Sequence, residues 1–486
     1  MVTIRPFRGA LACRSFRARS ALAACLLLLF STLCCLGQAP PASSQSNVRI
    51  FTLEQAINYA LANYPAVRAA LSEVTAAQAS VGVARTSYLP QANSLWQTNR
   101  GTINNTFGQL LPQSVIPSLS GPVLPATSGA SVWGSAAGVL ASWEPFDFGL
   151  RGASVNVAHA SEATAQAQAG ITRLEVAQAT TNAFFALLAA RQVTEASRAD
   201  VERRRVFAES VSVLVQNQLR PGADASRAEA DLAQAHIRLI QAQTAENAGR
   251  AALANLLGLS PAEVDIAPGP LFALPSPESL PVPEPAANPF AMAQDAKVEE
   301  SLARDRVLAK SYFPKFILQS AISGRGSGAE TSGQTLGGTA GLDLQRMNWA
   351  AGVQVTFPIL QAFSLRAQQK VEQANEATEK ARYDQALQDI SGRTAQAQIS
   401  LEGARQIAQE TPAEIAAARD GEQQSRARYD AGLATLVEVS QAESVLVQAE
   451  IDDAIARLSV WRDLAGLAAA QGDLDPFLNL LRATNP

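Results

Sequence analysis

The tetrapeptide Ser-Tyr-Leu-Pro at residues 87–90 recurs as Ser-Tyr-Phe-Pro at residues 311–314, 224 positions later. Pro65 and Pro289 have the same separation, so the sequence that precedes each tetrapeptide aligns without a gap. Repetition on this scale indicates a duplicated structural unit. The sequence therefore predicts two halves with the same order of secondary structure.

Each half predicts a helix that ends at the tetrapeptide, two strands around a loop, a very long helix and a shorter returning helix. The fold class is thus mainly α with a small β part. In the first repeat, residues 39–258, the elements are helix 52–87, strands at about 89–98 and 132–146, and helices 149–217 and 224–258. In the second, residues 288–470, they are helix 288–312, strands at about 315–323 and 348–358, and helices 363–430 and 436–470.

Two further segments lie outside the repeats. Residues 259–287 hold eight prolines, which exclude a regular helix and mark a linker between the halves. Residues 471–486 form a C-terminal tail.

The long helices are unusual in length. Residues 149–217 contain no proline, and a helix of this size would extend for roughly 100 Å. The matching stretch 363–430 contains Pro412, preceded by Thr411 and followed by Glu414 in the pattern of a capping box. We therefore expect a break or restart of the helix at Pro412.

The strands alternate in a way that fits a membrane. Residues 349–357 place Trp, Ala, Val, Val and Phe on one face, and four of the five tryptophans fall in or beside the four strands: Trp96, Trp133, Trp143 and Trp349. Such an aromatic girdle is typical of transmembrane strands, although a soluble sheet with one buried face shows the same alternation. Four strands cannot close a barrel, and an open edge cannot lie in lipid. If the strands span a membrane, several copies share one barrel, with twelve strands from three chains or eight from two.

The first residues predict export. Five arginines precede an apolar run and then small residues and prolines, so residues 1–38 read as a signal peptide. All four cysteines lie in this segment, and acylation of Cys34 or Cys35 is the alternative to simple cleavage. Without the segment the formal charge falls from −4 to −9, which argues against a nucleic-acid partner.

The sequence contains no recognisable catalytic site. The two histidines, His159 and His236, stand alone on helical stretches, and no cysteine follows residue 35. No nucleophile motif, phosphate-binding loop or metal-ligand spacing is present in the sequence. We expect no enzymatic activity, no cofactor and no metal.

Five short stretches of the chain carry a resemblance to a known family. They are, in chain order, Phe51-Thr52-Leu53-Glu54-Gln55-Ala56, Trp143-Glu144-Pro145-Phe146-Asp147-Phe148-Gly149, Leu256-Leu257-Gly258-Leu259, Val355-Thr356-Phe357-Pro358-Ile359 and Tyr429-Asp430-Ala431-Gly432-Leu433-Ala434-Thr435. In their order and spacing the sequence resembles the TolC-like outer-membrane efflux protein family, from about Phe51 to Leu481.

The resemblance implies a homotrimer in the outer membrane. Its 12-stranded β-barrel would continue into a 12-helix coiled-coil tube in the periplasm, with the proline linker around the tube's equator. The function implied is the exit duct of a tripartite efflux or type I secretion system, supplied by an inner-membrane pump through a periplasmic adaptor (membrane fusion) protein. The competing hypothesis is a soluble periplasmic adaptor or scaffold without a pore.

The resemblance also implies site residues. Gly432, Leu433 and Thr435 would contact the adaptor at the second helical tip. Leu219 would do so at the first, where Arg220-Pro221-Gly222 departs from the family pattern. Glu438 and Asp224 match acids that ring the periplasmic aperture, although acids in the first turn of a helix are also stabilised by its dipole.

Overall fold

The computed structural model describes residues 48–104, 110–116, 124–275, 281 and 283–484. The chain divides into two units, residues 1–49 and 50–486. The predicted signal peptide and its cysteines lie outside the described residues. Everything that follows concerns the second unit, apart from the first residue of one short strand.

The described residues confirm the mainly helical fold class and the duplicated order of elements. The helices are α1 (Leu53–Asn63), α2 (Pro65–Arg85), α3 (Leu150–Gln216), α4 (Gly222–Leu257), α5 (Pro289–Lys310), α6 (Gln361–Asp430), α7 (Leu436–Gln471) and α8 (Asp475–Ala483). The strands are β1 (Arg49–Phe51), β2 (Gln91–Thr102), β3 (Ser131–Phe146), β4 (Val264–Ile266), β5 (Lys315–Ser327) and β6 (Arg346–Thr356).

The prediction of one helix over residues 52–87 is wrong. Helix α1 ends at Asn63, and Tyr64 has an extended backbone (φ −65°, ψ 130°) before α2 begins at Pro65. The residue before a proline is driven out of the helical region by the proline ring, and proline itself suits the first position of a new helix. A single 3-10 turn, Thr86–Tyr88, then follows α2.

The predicted break at Pro412 is also wrong, because α6 runs unbroken through it. The neighbouring Thr411 does not cap a new helix. Its buried hydroxyl instead donates a 2.7 Å hydrogen bond to Oδ1 of Asp453 on α7, and Ala408 one turn earlier is buried. Packing against α7 therefore holds α6 helical although Pro412 removes one backbone hydrogen bond.

The four long strands form one antiparallel sheet in the order β2-β3-β5-β6. Its register, with Val139 opposite both Ser94 and Ile322, gives the sheet two chemically different faces. The face that we call the tryptophan face includes Trp96, Val139, Ile322, Trp349 and Val353. The opposite face, the amide face, includes Asn93, Gln97, Gln319 and Gln354. Strands β2 and β5 extend to Thr102 and Ser327, four residues beyond the predicted ends at 98 and 323.

The largest core cluster lies where the two repeats, the linker and the C-terminal segment meet. We call it the belt core, and its fully buried side chains include Leu53, Phe184, Leu188, Leu257, Trp461 and Phe477. The indole Nε1 of Trp461 donates a 2.8 Å hydrogen bond to the carbonyl of Ala273 in the linker. As predicted, the described part of the linker has no regular α-helix, only short 3-10 turns and β4.

The tail contains a helix that the sequence analysis did not predict. Helix α8 buries Phe477, Leu478 and Leu481 in the belt core. Its Arg482 donates to both carboxylate oxygens of Glu54 in α1, at 3.1 and 2.6 Å. That pair holds the pKa of Glu54 below its usual value, mainly through the hydrogen bond from Arg482. The last helix thus completes a core that begins with the first one.

Candidate functional site

The second helical tip joins α6 to α7 in a compact turn. Gly432 adopts a left-handed conformation (φ +77°), which glycine reaches without steric strain. The amide of Leu433 then donates to the carbonyl of Arg428 at 2.8 Å, and that of Gly432 to Tyr429 at 2.9 Å. These bonds satisfy the last carbonyls of α6 and leave Leu433 71% exposed at the end of the turn.

The first tip has the same geometry without a glycine. Gln218 takes the left-handed position (φ +60°), and the amide of Leu219 donates to the carbonyl of Leu214 at 2.9 Å. Leu219 is 68% exposed, which matches Leu433 at the other tip. The chain therefore turns at Gln218 and Leu219, two residues before the predicted turn at Arg220-Pro221-Gly222. Pro221 serves as the N-cap of α4.

Arg220 and Tyr429 connect the two tips. The Arg220 guanidinium lies 4.3 Å from the centre of the Tyr429 ring and donates a hydrogen bond to the Tyr429 carbonyl. The ring is buried and packs edge-on against Phe207 at 5.5 Å. Burial, and then the negative charge of Asp224 nearby, raise the pKa of the Tyr429 hydroxyl. No local sequence pattern predicts this contact, because it joins residues 209 positions apart.

Arg220→Ala should loosen the tips. The variant loses a cation–π contact and a charged hydrogen bond, together about 1–2 kcal/mol of local stability. Hydrogen exchange of the amides at residues 429–435 should therefore accelerate roughly tenfold. Arg220→Lys, which keeps the charge, should lie between the variant and the wild type. Equal exchange in all three proteins would show that Arg220 does not join the tips.

The two candidate aperture acids both lie in the first turn of a helix. Glu438 closes a capping box with Thr435, accepting from its amide at 3.2 Å, and its other oxygen lies 3.8 Å from Arg428. Its side chain remains 46% exposed. Asp224 lies in the first turn of α4, near Tyr429. Within one chain each acid therefore has a local structural role, and an aperture role would add to it.

The four tryptophans share the tryptophan face. Trp133 lies near the loop end of β3 and Trp143 near its helix end, ten residues apart, while Trp96 and Trp349 lie at levels between them. Ten residues of a tilted strand correspond to the roughly 25 Å apolar band of a membrane strand. Trp96 and Trp349 are 78% and 80% exposed, so none of the described residues covers this face at their two positions.

A buried charge cluster joins the two helical hairpins near the tips. We use this name for Asp200 and Arg204 of α3 and Glu443 of α7, each at most 4% exposed. Arg204 donates to Asp200 at 2.8 Å, and its Nη1 lies 3.7 Å from Glu443. Glu443 Oε1 has no hydrogen-bond partner among the described residues. Burial raises the pKa of Glu443, and Arg204 opposes the rise.

The sequence contained only a weak signal for this cluster. Asp200 and Arg204 have the i, i+4 spacing of a helical ion pair, but exposed pairs such as Arg205 with Glu209 have the same spacing. Nothing in the sequence alone tells a buried pair from an exposed one.

The described residues contain no group of three or more His, Cys, Asp or Glu side chains placed to hold a metal ion. Among the helices described, none has an apolar stretch long enough to cross a bilayer.

Comparison with known proteins gives matches over most of the chain. The chain is 27% identical over 243 residues to Protein CyaE of Bordetella pertussis, a region that covers 48% of this chain. That region spans 47% of CyaE, about half of its length. The fold is similar to the MtrE outer membrane channel of Neisseria gonorrhoeae in its open state, with a TM-score of 0.69, 20% identity, and 87% and 89% of the two chains covered.

The outer membrane protein VceC of Vibrio cholerae has a similar fold, with a TM-score of 0.67, 19% identity, and 87% of this chain and 96% of VceC covered. These two likenesses show the fold. The family match favours the channel hypothesis over an adaptor without a pore and confirms the predicted location in the outer membrane. That match is to the outer membrane efflux protein family and spans residues 56–259 and 286–473, which include both repeats. The chain therefore belongs to the outer membrane efflux protein family.

Proposed function

We propose that this chain forms, as a homotrimer, the outer-membrane exit duct of a tripartite efflux or type I secretion system. The observation that carries the proposal is the four-stranded sheet, which exposes an apolar face. Among the described residues, no further strand pairs with its edge strands β2 and β6. A sheet with this chemistry is complete only when lipid covers the tryptophan face and other copies pair with the edges.

The edges indicate how copies would associate. Strand β6 of one copy is free to pair with β2 of the next, and successive copies related by rotation close a barrel without an edge. Three copies give twelve strands from the four in each chain. Two copies give eight, whose interior is filled by side chains and leaves no duct. A duct therefore favours the trimer.

The helices continue the proposed duct. Helices α3 and α6 contain 67 and 70 residues, so each extends for roughly 100 Å beyond the sheet. Their tips present Leu219 and Leu433 to solvent, with Gly432 and Thr435 shaping the second turn. We propose that these residues contact a periplasmic adaptor protein, which delivers substrate from an inner-membrane pump. We expect passage of cargo and no catalysis, without cofactor or resident metal.

The first test is the assembly itself. Outer-membrane protein extracted in mild detergent should migrate as a trimer and dissociate on heating to a single chain. Recovery of a soluble monomer or dimer from the periplasm would contradict the exit-duct proposal and favour a coiled-coil scaffold.

The second test concerns the proposed aperture. Three copies of Glu438 around a narrow axis would focus negative potential and bind divalent cations. Glu438→Ala should therefore weaken block of single-channel current by divalent cations. The control is Glu414→Ala, an exposed acid of α6 far along the chain from the tip, which should leave the block unchanged. Unchanged block in Glu438→Ala would remove Glu438 from the aperture.

A further inference from the structure

A short piece of the β2–β3 loop lies on the amide face of the sheet. Ile116 is only 3% exposed, and its Cγ1 lies 3.1 Å from the point where a Cβ on Gly138 would be. The Cβ of Ser323, which pairs with Gly138, approaches the same point at 3.0 Å. Gly138 thus leaves the space that receives Ile116. We call residues 113–116 the strap.

Gln113 fixes the shape of the strap. Its Oε1 accepts hydrogen bonds from the amides of Val115 and Ile116, both at 2.7 Å. Its Nε2 donates to the Ile116 carbonyl at 2.6 Å. A loop of small and polar residues would ordinarily stay in solvent, but this closed turn presents Ile116 to the sheet in one orientation.

The strap and the amide face border an open pocket of about 550 Å³. The strap forms one wall, and the sheet contributes amide and small side chains on the other, among them Gln319, Ala350, Gly352 and Gln354. None of the described residues that line this pocket is charged. A passage with such walls separates solutes by size more than by charge.

We infer that the strap is a size-selective constriction at the outer end of the duct. The inference rests on the proposed function, since the amide face turns to the lumen only when the tryptophan face meets lipid. Each copy contributes one strap, held at Gly138 by Ile116, and large cargo must lift it to leave. Selection by size thus belongs to the barrel, separately from the acids proposed at the helical tips.

The position of the strap can be tested by cross-linking. Residues 48–486 contain no cysteine, so introduced thiols are the only ones in that range. Ile116→Cys combined with Ser323→Cys should form a disulfide, detected as the loss of both free thiols. The matched control, Ile116→Cys with Ile322→Cys, places the second thiol on the opposite face and should stay reduced. Equal cross-linking of the two pairs, or none in the first, would place the strap elsewhere.

Its selectivity can be tested with a bulky thiol reagent. Thr356→Cys places a reporter on the amide face near the helix end of β6, and Asn348→Cys places one near the loop end. A maleimide on a long polyethylene glycol chain, added outside intact cells, should label Thr356→Cys roughly an order of magnitude more slowly than Asn348→Cys. Adding Ile116→Ser or Gln113→Ala should remove most of that difference.

The outcomes separate the two proposals. Rapid labelling of Thr356→Cys with the wild-type strap overturns the constriction but leaves the duct. Slow labelling that Ile116→Ser and Gln113→Ala do not accelerate also overturns it. If a small thiol reagent also fails to reach Thr356→Cys in every variant, no aqueous path follows the amide face, and the exit-duct proposal falls with the constriction.

Discussion

Ile322→Arg should prevent most of the protein from reaching a heat-stable, membrane-inserted state. Ile322 is 58% exposed on the tryptophan face and pairs with Val139 and Trp349. Those neighbours place it between the levels of Trp133 and Trp143, near the centre of the apolar band. An arginine on the lipid side of a barrel costs about 2–4 kcal/mol at that depth. Folding from denaturant into lipid vesicles should show this loss.

Two matched variants make the result specific. Ala350→Arg introduces the same side chain on the amide face and should fold nearly as well as the wild type. Val353→Arg lies on the tryptophan face level with Trp143, where the same substitution costs only about 0–1 kcal/mol. A penalty that is equal on both faces, or that does not change with depth, would contradict burial of the tryptophan face in lipid.

Arg204→Met should be the most destabilising single change in the helical hairpins. The variant leaves the carboxylates of Asp200 and Glu443 buried with little compensation, and breaking a buried pair in this way costs about 3–5 kcal/mol. Asp200 keeps a hydrogen bond from Arg238 at 3.1 Å, so part of the charge stays paired. Denaturant unfolding followed by far-UV circular dichroism, which reports the helices, measures the loss.

The free energy of unfolding should depend on pH through Glu443. Burial raises the pKa of this carboxyl above its ordinary value of 4.5, so the folded protein holds a proton that the unfolded chain releases. The contribution of Glu443 to stability is therefore greatest below that ordinary value and is lost as the pH rises through its pKa in the folded state. The other charged groups facing Glu443 are Asp200 and Arg204 of α3 and Glu422 and Arg426 of α6. Glu443→Gln should remove this part of the pH dependence.

The neighbouring residue provides the control. Arg205 pairs with Glu202 and Glu209 on the surface of the same helix, and exposed pairs contribute little to stability. Arg205→Met should therefore unfold almost as the wild type does. The double variant Arg204→Met, Glu443→Gln should recover part of the loss. Equal effects of Arg204→Met and Arg205→Met would show that the cluster is solvated.

The fold was largely predictable because the duplication is visible in short, nearly identical segments at a constant separation. The strands, the long helices and the turn at Gly432 all carry strong local patterns, namely alternation, absence of proline and a glycine after a helix. The two errors in helix continuity concern proline. Pro65 begins a new helix where the pattern predicts a continuous one. Pro412 lies inside an unbroken helix, because contacts with α7 that no local pattern encodes stabilise it.

The site was less predictable than the fold. Exposure of Leu219 and Leu433 follows from their place at a turn, and the resemblance supplied their proposed role. The contact between Arg220 and Tyr429 joins residues 209 positions apart, and the buried charge cluster joins α3 to α7 across a similar interval. Such contacts depend on how the hairpins pack, which one sequence does not specify. The contact of Ile116 with Gly138 likewise depends on how the loop packs on the sheet, so one sequence does not specify it.

The contact of Arg482 with Glu54 has a consequence for the order of events after export. The two residues are 428 positions apart, nearly the whole length of the chain. When a polypeptide is exported from its amino end, α1 reaches the periplasm long before α8, which packs against it. The belt core therefore stays incomplete, with its apolar side chains open to solvent, until α8 has crossed the inner membrane. The interval before α8 packs is when the chain most needs protection from aggregation.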